Sequence, residues 1–186
     1  MGVDVGGKRK GFDVALIDDH RVCSLASGLD RNAVVRFVAL ERPMVVAIDS
    51  PRCCASQGKK TRDGELQVNT SICGIRWTPD SDSVRQKPYY AWILEGLTLF
   101  EALAKQKVEV IEVFPTASWT RWFGKRGSQT RAKWSRRGLE LLGLEGTPST
   151  SNQDQRDAIA AAVTARQHAL GMTEEMGEIV VPLGSW

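Results

Sequence analysis

The stretch of sequence that decides the fold is Gly2-Val-Asp-Val-Gly-Gly7, followed by Gly11-Phe-Asp-Val-Ala-Leu-Ile17. Both segments are short, rich in β-branched residues and bounded by glycine. This pattern predicts strands at Val3–Gly6 and Gly11–Ile17 that are joined by a turn. A third strand is predicted at Arg21–Ala26. Three consecutive strands favour an antiparallel meander.

Helices and strands alternate after this meander. Asp30 is an expected helix N-cap, because apolar residues follow it at helical spacing. The uninterrupted apolar run Met44–Ile48 predicts a strand that is buried on both faces. The other predicted elements are a helix from Pro88, a strand at Val108–Phe114, a helix over Arg136–Leu142, an alanine-rich helix at Asp154–Leu170 and a short strand at Glu178–Val181.

This order predicts a mixed α/β fold built on a five-stranded sheet. Three strands are expected to be antiparallel, two are added in parallel by right-handed crossovers, and helices pack on the faces. Residues 1–186 are expected to form a single domain, because no linker or internal repeat divides the chain. Two regions are interpreted as insertions: about 52–84, which is polar and rich in turn-forming residues, and about 115–150.

The composition excludes several classes of protein. Of 186 residues, 42% are hydrophobic and 25% are charged, which is typical of a globular chain rather than a disordered or fibrous one. The apolar runs are too short to span a bilayer, and no basic leader is evident, so we expect a cytoplasmic protein without membrane association. Four cysteines without C-x-x-C spacing, and only two histidines, argue against a zinc cluster and for reduced thiols.

Positive charge is concentrated in one segment. The net charge is only +3, but no Asp or Glu occurs from Pro115 to Leu139. The candidate nucleic-acid-binding residues in this segment are Arg121, Lys125, Arg126, Arg131, Lys133, Arg136 and Arg137. The interleaved aromatic residues are Trp119, Trp122, Phe123 and Trp134. Basic residues with stackable aromatics suit a polyanion such as nucleic acid, and a solvated helix face above core aromatics explains the pattern equally well.

Several acidic residues lie where a charge is costly unless it is used or paired. Asp4 is in the first strand, and Asp49 closes the apolar fourth strand. If these strands are parallel neighbours, about 4.8 Å apart, the two carboxylates lie side by side. Glu112 is near the end of the last strand of the predicted sheet. Asp154 and Asp157, three residues apart, share one face of the alanine-rich helix.

A cluster of carboxylates repels itself unless a cation neutralises it. Oxygen ligands without His or Cys suit Mg²⁺ or Mn²⁺, and two such ions about 4 Å apart can clamp the attacking and leaving oxygens of a phosphodiester. Each acid also has a structural interpretation. Asp154 could cap its helix, Asp49 could end its strand as a turn residue, and Glu112 could pair with an arginine.

Taken together, these motifs resemble the ribonuclease H-like superfamily. The hairpin resembles its first two strands, and Val46-Ala-Ile-Asp-Ser-Pro51 resembles its fourth strand. Asp154-Gln-Arg-Asp-Ala158 resembles the D-x-x-D-A helix of its Holliday-junction resolvase branch. With Ile111-Glu-Val-Phe-Pro115, the set resembles more closely a family of uncharacterised predicted nucleases of this fold. The chain departs from the pattern in two places: the first helix lacks an internal acid, and region 52–84 has no counterpart in the resolvase.

The resemblance implies a metal-dependent nuclease or phosphodiesterase, a hydrolase that cleaves nucleic-acid phosphodiester bonds by a two-metal mechanism. In this interpretation Asp4, Asp49, Asp154 and Asp157 hold Mg²⁺ or Mn²⁺, and Glu112 joins them in the catalytic set. One alternative is a non-catalytic module of the same fold that binds nucleic acid or protein. A second, less favoured alternative is a nucleotide-binding phosphotransferase-like protein in which Gly6-Gly7 contacts phosphate.

Overall fold

The computed structural model describes residues 1–184 and 186, and shows a mixed sheet with helices on both faces. The strands are β1 (Gly2–Val5), β2 (Phe12–Ile17), β3 (Val22–Leu29), β4 (Val45–Asp49), β5 (Glu109–Val113), β6 (Thr173–Met176) and β7 (Ile179–Pro182). The helices are α1 (Arg31–Glu41), α2 (Asp63–Ser71), α3 (Ser81–Gln86), α4 (Ala91–Leu103), α5 (Pro115–Phe123), α6 (Arg131–Leu142) and α7 (Gln153–Ala169). A 3-10 turn, Pro88–Tyr90, precedes α4.

The strand order in the sheet is β3-β2-β1-β4-β5-β7-β6. Strands β1, β2 and β3 form the antiparallel meander, and β4 and β5 add to β1 in parallel, so the predicted mixed fold class is confirmed. The expected number of five strands is wrong, because β7 pairs in parallel with β5 and carries β6 as an antiparallel edge strand. The β6 sequence, Thr-Glu-Glu-Met, has no apolar run that would reveal a strand.

Helix α7 covers the centre of one face of the sheet. It packs on β1, β2 and β4 through an alanine-rich surface that includes the fully buried Ala158, Ala161 and Ala162. A Cβ atom at Gly2 would lie 2.1 Å from the backbone oxygen of Ala158 and from the backbone nitrogen of Ala162. Only small residues on both elements permit this close packing, which holds the first turn of α7 near the ends of the strands.

The opposite face of the sheet packs on α1 and α4. Val34 and Val38 of α1, with Leu99 and Leu103 of α4, form one core with apolar residues of β1, β2 and β4. Asp30 caps α1 as predicted, because its side chain accepts a hydrogen bond from the backbone N–H of Ala33. Among the described residues, no helix combines the length and the apolar character that a bilayer-spanning segment needs.

The two regions interpreted as insertions contain regular structure. Region 52–84 was expected to be irregular, but it contains α2 and α3. Helix α2 buries Glu65 and Val68, so its inner face is partly charged, and a purely apolar periodicity is absent from its sequence. Region 115–150 contains α5 and α6, whose buried tryptophans extend the core beneath α7.

Candidate functional site

Asp4 and Asp49 lie side by side at one edge of the sheet. Strands β1 and β4 are parallel, and their register pairs Asp4 with Asp49. The carboxyl ends of both strands therefore meet at the same edge, as the sequence pattern predicts. Both residues line a cavity of about 1090 Å³, which is open to solvent and also bounded by the Gly6-Gly7 turn and residues of α2, α4 and α7.

Among the residues that the structure describes, neither carboxyl group has a directly bonded cation, although the charge of Arg131 lowers the pKa of Asp49 in part. Within residues 1–184 and 186, no lysine, arginine or histidine forms a salt bridge with Asp4 or Asp49. Burial raises the pKa of Asp4, and the neighbouring carboxylates of Asp49 and Asp157 raise it further. Burial likewise raises the pKa of Asp49, with Asp157 adding to the shift. The two carboxyl groups therefore favour either protonation or the binding of an added cation.

The two acids of α7 line the same cavity, but each already has a partner. Asp157 is buried, and its carboxylate accepts hydrogen bonds from Arg131 Nη2 at 2.8 Å, Gln153 Nε2 at 3.0 Å and Trp119 Nε1 at 3.3 Å. Asp154 forms an ion pair with Lys10, from the turn between β1 and β2. Asp154 does not cap its helix, because the N-cap is Asn152.

Glu112 lines the same cavity, but its carboxylate is bonded to an arginine. Arg62 donates to Glu112 Oε1 at 2.6 Å through Nη2 and to Oε2 at 2.8 Å through Nη1, and the backbone N–H of Arg52 donates to Oε2 at 2.8 Å. Arg62 also bonds to Glu65, and all three charged side chains are buried. Both oxygens of Glu112 are thus occupied. The structure favours the arginine-partner interpretation of Glu112 over the catalytic one.

The basic segment divides into three groups. Lys125, Arg126 and Arg131 line the cavity. Arg121 instead forms an ion pair with Glu174 of β6. Lys133, Arg136 and Arg137 lie exposed on α6, outside the cavity lining.

The interleaved tryptophans belong to the core. Trp119, Trp122 and Trp134 are only 1%, 3% and 6% exposed, and they pack together with residues of α7. The indole N–H of Trp122 donates a hydrogen bond to Gln167 Oε1 at 3.0 Å. Trp119 and Trp122 therefore support the helices of region 115–150, whereas Trp134, although mostly buried, also lines the cavity.

Several residues at the site were not singled out from the sequence. Lys10 was assigned only to a turn, and Gln153 and Ser50 were not considered. Ser50 is 3% exposed, lines the cavity, and its hydroxyl oxygen has no hydrogen-bond partner among the described residues. The adjacency of Ser50 to Asp49 was its only signal in the sequence.

The chemistry of the donors fits a hard divalent cation. Four aspartates and an unpartnered serine hydroxyl supply oxygen ligands only, the type that Mg²⁺ and Mn²⁺ prefer. Two of the aspartates form no salt bridge among the described residues, as such an ion requires. Within the part of the chain that the structure describes, no group of at least three His, Cys, Asp or Glu side chains is arranged so that it could hold a metal ion.

Fold and site together define an α/β protein with an acidic cavity at the carboxyl edge of a mixed sheet. The chain belongs to the DUF429 family, described as a protein of unknown function, whose model matches residues 2–178. No curated protein matches the chain. The fold is similar to the solved structure of RuvC from Thermus thermophilus, with 16% identity, a TM-score of 0.49, and coverage of 91% of this chain and 95% of that one. Similarity at this level carries no argument about function.

Proposed function

We propose that this protein is a divalent-metal-dependent nuclease or phosphodiesterase that hydrolyses nucleic-acid phosphodiester bonds. The observation that carries the proposal is the pairing of Asp4 with Asp49 in register, in a solvent-open cavity and, among the described residues, without a salt bridge to either acid. A partly buried pair of acids is costly to the fold unless a ligand uses it. The motifs that resemble the ribonuclease H-like superfamily include both residues, which supports the same role.

Asp4 and Asp49 are the first candidates for metal ligands in this proposal. Asp157 and Asp154 would complete the set once Arg131 and Lys10 release them. Bound Mg²⁺ or Mn²⁺ would polarise the phosphodiester and lower the pKa of a water nucleophile. We assign Glu112 a positioning role, because its bonds to Arg62 fix the end of β5 next to Asp49.

The basic residues of the cavity wall would bind the substrate. Lys125 and Arg126 are exposed and belong to the loop between α5 and α6, where they can contact phosphate oxygens. Such contacts position a nucleic acid without reading its sequence. Arg131 would move from Asp157 to phosphate when a cation replaces it at the carboxylate, since a guanidinium bonds well to either anion.

One observation favours a second candidate, a non-catalytic nucleic-acid-binding module. The Lys10–Asp154 and Arg131–Asp157 pairs neutralise half of the aspartates without any metal. If these pairs persist when substrate binds, the cavity keeps too few free ligands for two ions, and only the binding function remains.

Cleavage assays separate the two candidates. Labelled single-stranded, duplex and branched DNA and single-stranded RNA are incubated with the protein in Mn²⁺, in Mg²⁺ and in EDTA. We expect cleavage of at least one substrate in the metal-containing buffers only. Asp49→Asn should lose it, whereas Asp82→Asn, an exposed aspartate on α3 away from the cavity, should retain it. Binding without cleavage of any substrate by the wild-type protein would favour the binding module.

A further inference from the structure

The wall of the acidic cavity carries aromatic rings that the proposed chemistry does not use. Tyr89, in the 3-10 turn before α4, and Trp92, in the first turn of α4, both line the cavity. Tyr89 is 61% exposed, far more than a ring that serves only packing. Tyr90 packs edge-to-face on it, with ring centroids 5.0 Å apart. This contact supports the Tyr89 ring from one side and leaves the rest of it open to solvent.

The same cavity contains the features of a nucleotide site. Its lining joins the aspartates to the aromatic side chains Tyr89 and Trp92 and to the cationic side chains Lys125 and Arg126. Cationic groups suit phosphates, and exposed aromatic rings suit the faces of bases. Its volume, about 1090 Å³, is at the upper end of small-ligand pockets, which is enough for a few nucleotides.

We propose that the cavity binds an unpaired segment of nucleic acid, with a base stacked on Tyr89 and the neighbouring phosphates at Lys125 and Arg126. This proposal rests on the proposed function for its substrate class and narrows it to single strands or unpaired regions. In a duplex, each base is covered on both faces by its stacked neighbours. An aromatic side chain can therefore stack only on a base that has left the duplex.

A binding experiment without catalysis tests the proposal. Fluorescence anisotropy is measured with a labelled single strand of about 12 nucleotides, as DNA and as RNA, and with the same sequence as a duplex. The measurements are made in EDTA and repeated in Ca²⁺. We expect tighter binding of the single strand than of the duplex. Tyr89→Ala should weaken single-strand binding by about 5- to 100-fold, because one base loses its stacking partner.

Two further variants show whether the effect belongs to the ring in the cavity. Tyr89→Phe keeps the ring and should bind within about twofold of the wild-type protein, since stacking needs no hydroxyl. Trp77→Ala removes another exposed aromatic, 41% exposed but outside the cavity lining, and should leave the affinity unchanged. Tyr89 is a surface residue, so its removal is not expected to unfold the protein, which circular dichroism checks.

Three results would overturn the inference. They are equal or tighter binding of the duplex, unchanged single-strand affinity in Tyr89→Ala, and no binding of the single strand or the duplex in either EDTA or Ca²⁺. Its failure is distinguishable from failure of the proposed function. Metal-dependent cleavage of a duplex that Tyr89→Ala leaves unchanged would overturn only the inference. Tyr89-dependent binding of a single strand, with no cleavage under any metal condition, would overturn only the nuclease proposal.

Discussion

Asp49 and Glu112 occupy nearly equivalent positions in the sheet, but their side chains have different partners. They end neighbouring parallel strands, since Glu112 on β5 pairs in register with Ile48, the residue before Asp49 on β4. Both line the same cavity, and burial raises the pKa of both carboxyl groups. Glu112 receives a buried arginine on both of its oxygens, whereas Asp49 forms no salt bridge among the described residues and only the more distant charge of Arg131 opposes the rise of its pKa. Burial is thus common to the two acids, and what distinguishes them is the directly bonded cation that only Glu112 has.

The largest expected effect comes from removing the cation of Glu112. Arg62→Met would leave the carboxylates of Glu65 and Glu112 buried without their shared partner. Breaking a buried ion pair by removing one member typically costs about 3–5 kcal/mol. We expect a loss of that size in the free energy of unfolding, measured by urea denaturation.

Arg36→Ala provides the matched control for the arginine. Arg36 is exposed on α1, and its removal is expected to change the free energy of unfolding by less than about 0.5 kcal/mol. A loss below about 1 kcal/mol in Arg62→Met would contradict the contrast between the two acids. It would mean that Glu112, like Asp49, tolerates the absence of a cation.

The opposite change is expected at the paired aspartates. Asp4→Asn removes one uncompensated charge and keeps the side-chain shape, so the metal-free protein should be as stable as wild type or slightly more stable. In the wild-type protein, Mn²⁺ should raise the melting temperature. A ligand that binds only the folded state stabilises it by about 2.7 kcal/mol at a hundredfold excess over its Kd. The variant should lose this shift, which thermal melts with and without Mn²⁺ measure.

Asp82→Asn should melt like the wild-type protein in both buffers, because Asp82 is exposed and outside the cavity. If Asp4 is instead a structural acid with hydrogen-bond partners, Asp4→Asn would cost about 1–3 kcal/mol. A destabilised variant, together with a wild-type melting temperature that does not respond to Mn²⁺, would remove the basis for a metal site.

The pairing of Asp4 with Asp49 could be predicted from the sequence because the local signals agree. A glycine-bounded hairpin and a continuous apolar run define β1 and β4, and the crossover rule places them side by side in parallel. The alanine-rich helix was predicted from the sequence, and the structure shows that Ala158 on α7 and Gly2 on β1 permit its close packing on the sheet.

The partners of the acids could not be predicted, because the contacts join residues distant in sequence. Lys10 and Asp154 are 144 positions apart, and Arg62 and Glu112 are 50 apart. Neither pair leaves a local pattern in the chain. The inner face of α2 was missed for a related reason: it buries charged Glu65, so hydropathy periodicity could not reveal the helix. The tryptophans of region 115–150 were open to two interpretations until the packing assigned them to the core.

The paired aspartates also impose a pH dependence on the metal-free protein. In the unfolded chain, Asp4 and Asp49 ionise at the ordinary pKa of about 3.9, whereas in the folded protein burial and neighbouring carboxylates raise the pKa of both. Between the ordinary and the raised values, the folded state binds more protons than the unfolded state. The free energy of unfolding therefore falls as pH rises, by at most about 1.4 kcal/mol per pH unit for each group.

Urea denaturation in EDTA should show lower stability at pH about 8 than at pH about 5.5. Asp4→Asn should flatten this dependence, because it removes one titrating group and one of the charges that face Asp49, while Asp82→Asn should leave the slope unchanged. An equally steep slope in Asp4→Asn would show that other groups cause the pH dependence. Stability that rises over this range in the wild-type protein would show that the paired aspartates are already ionised and balanced by cations of the protein itself.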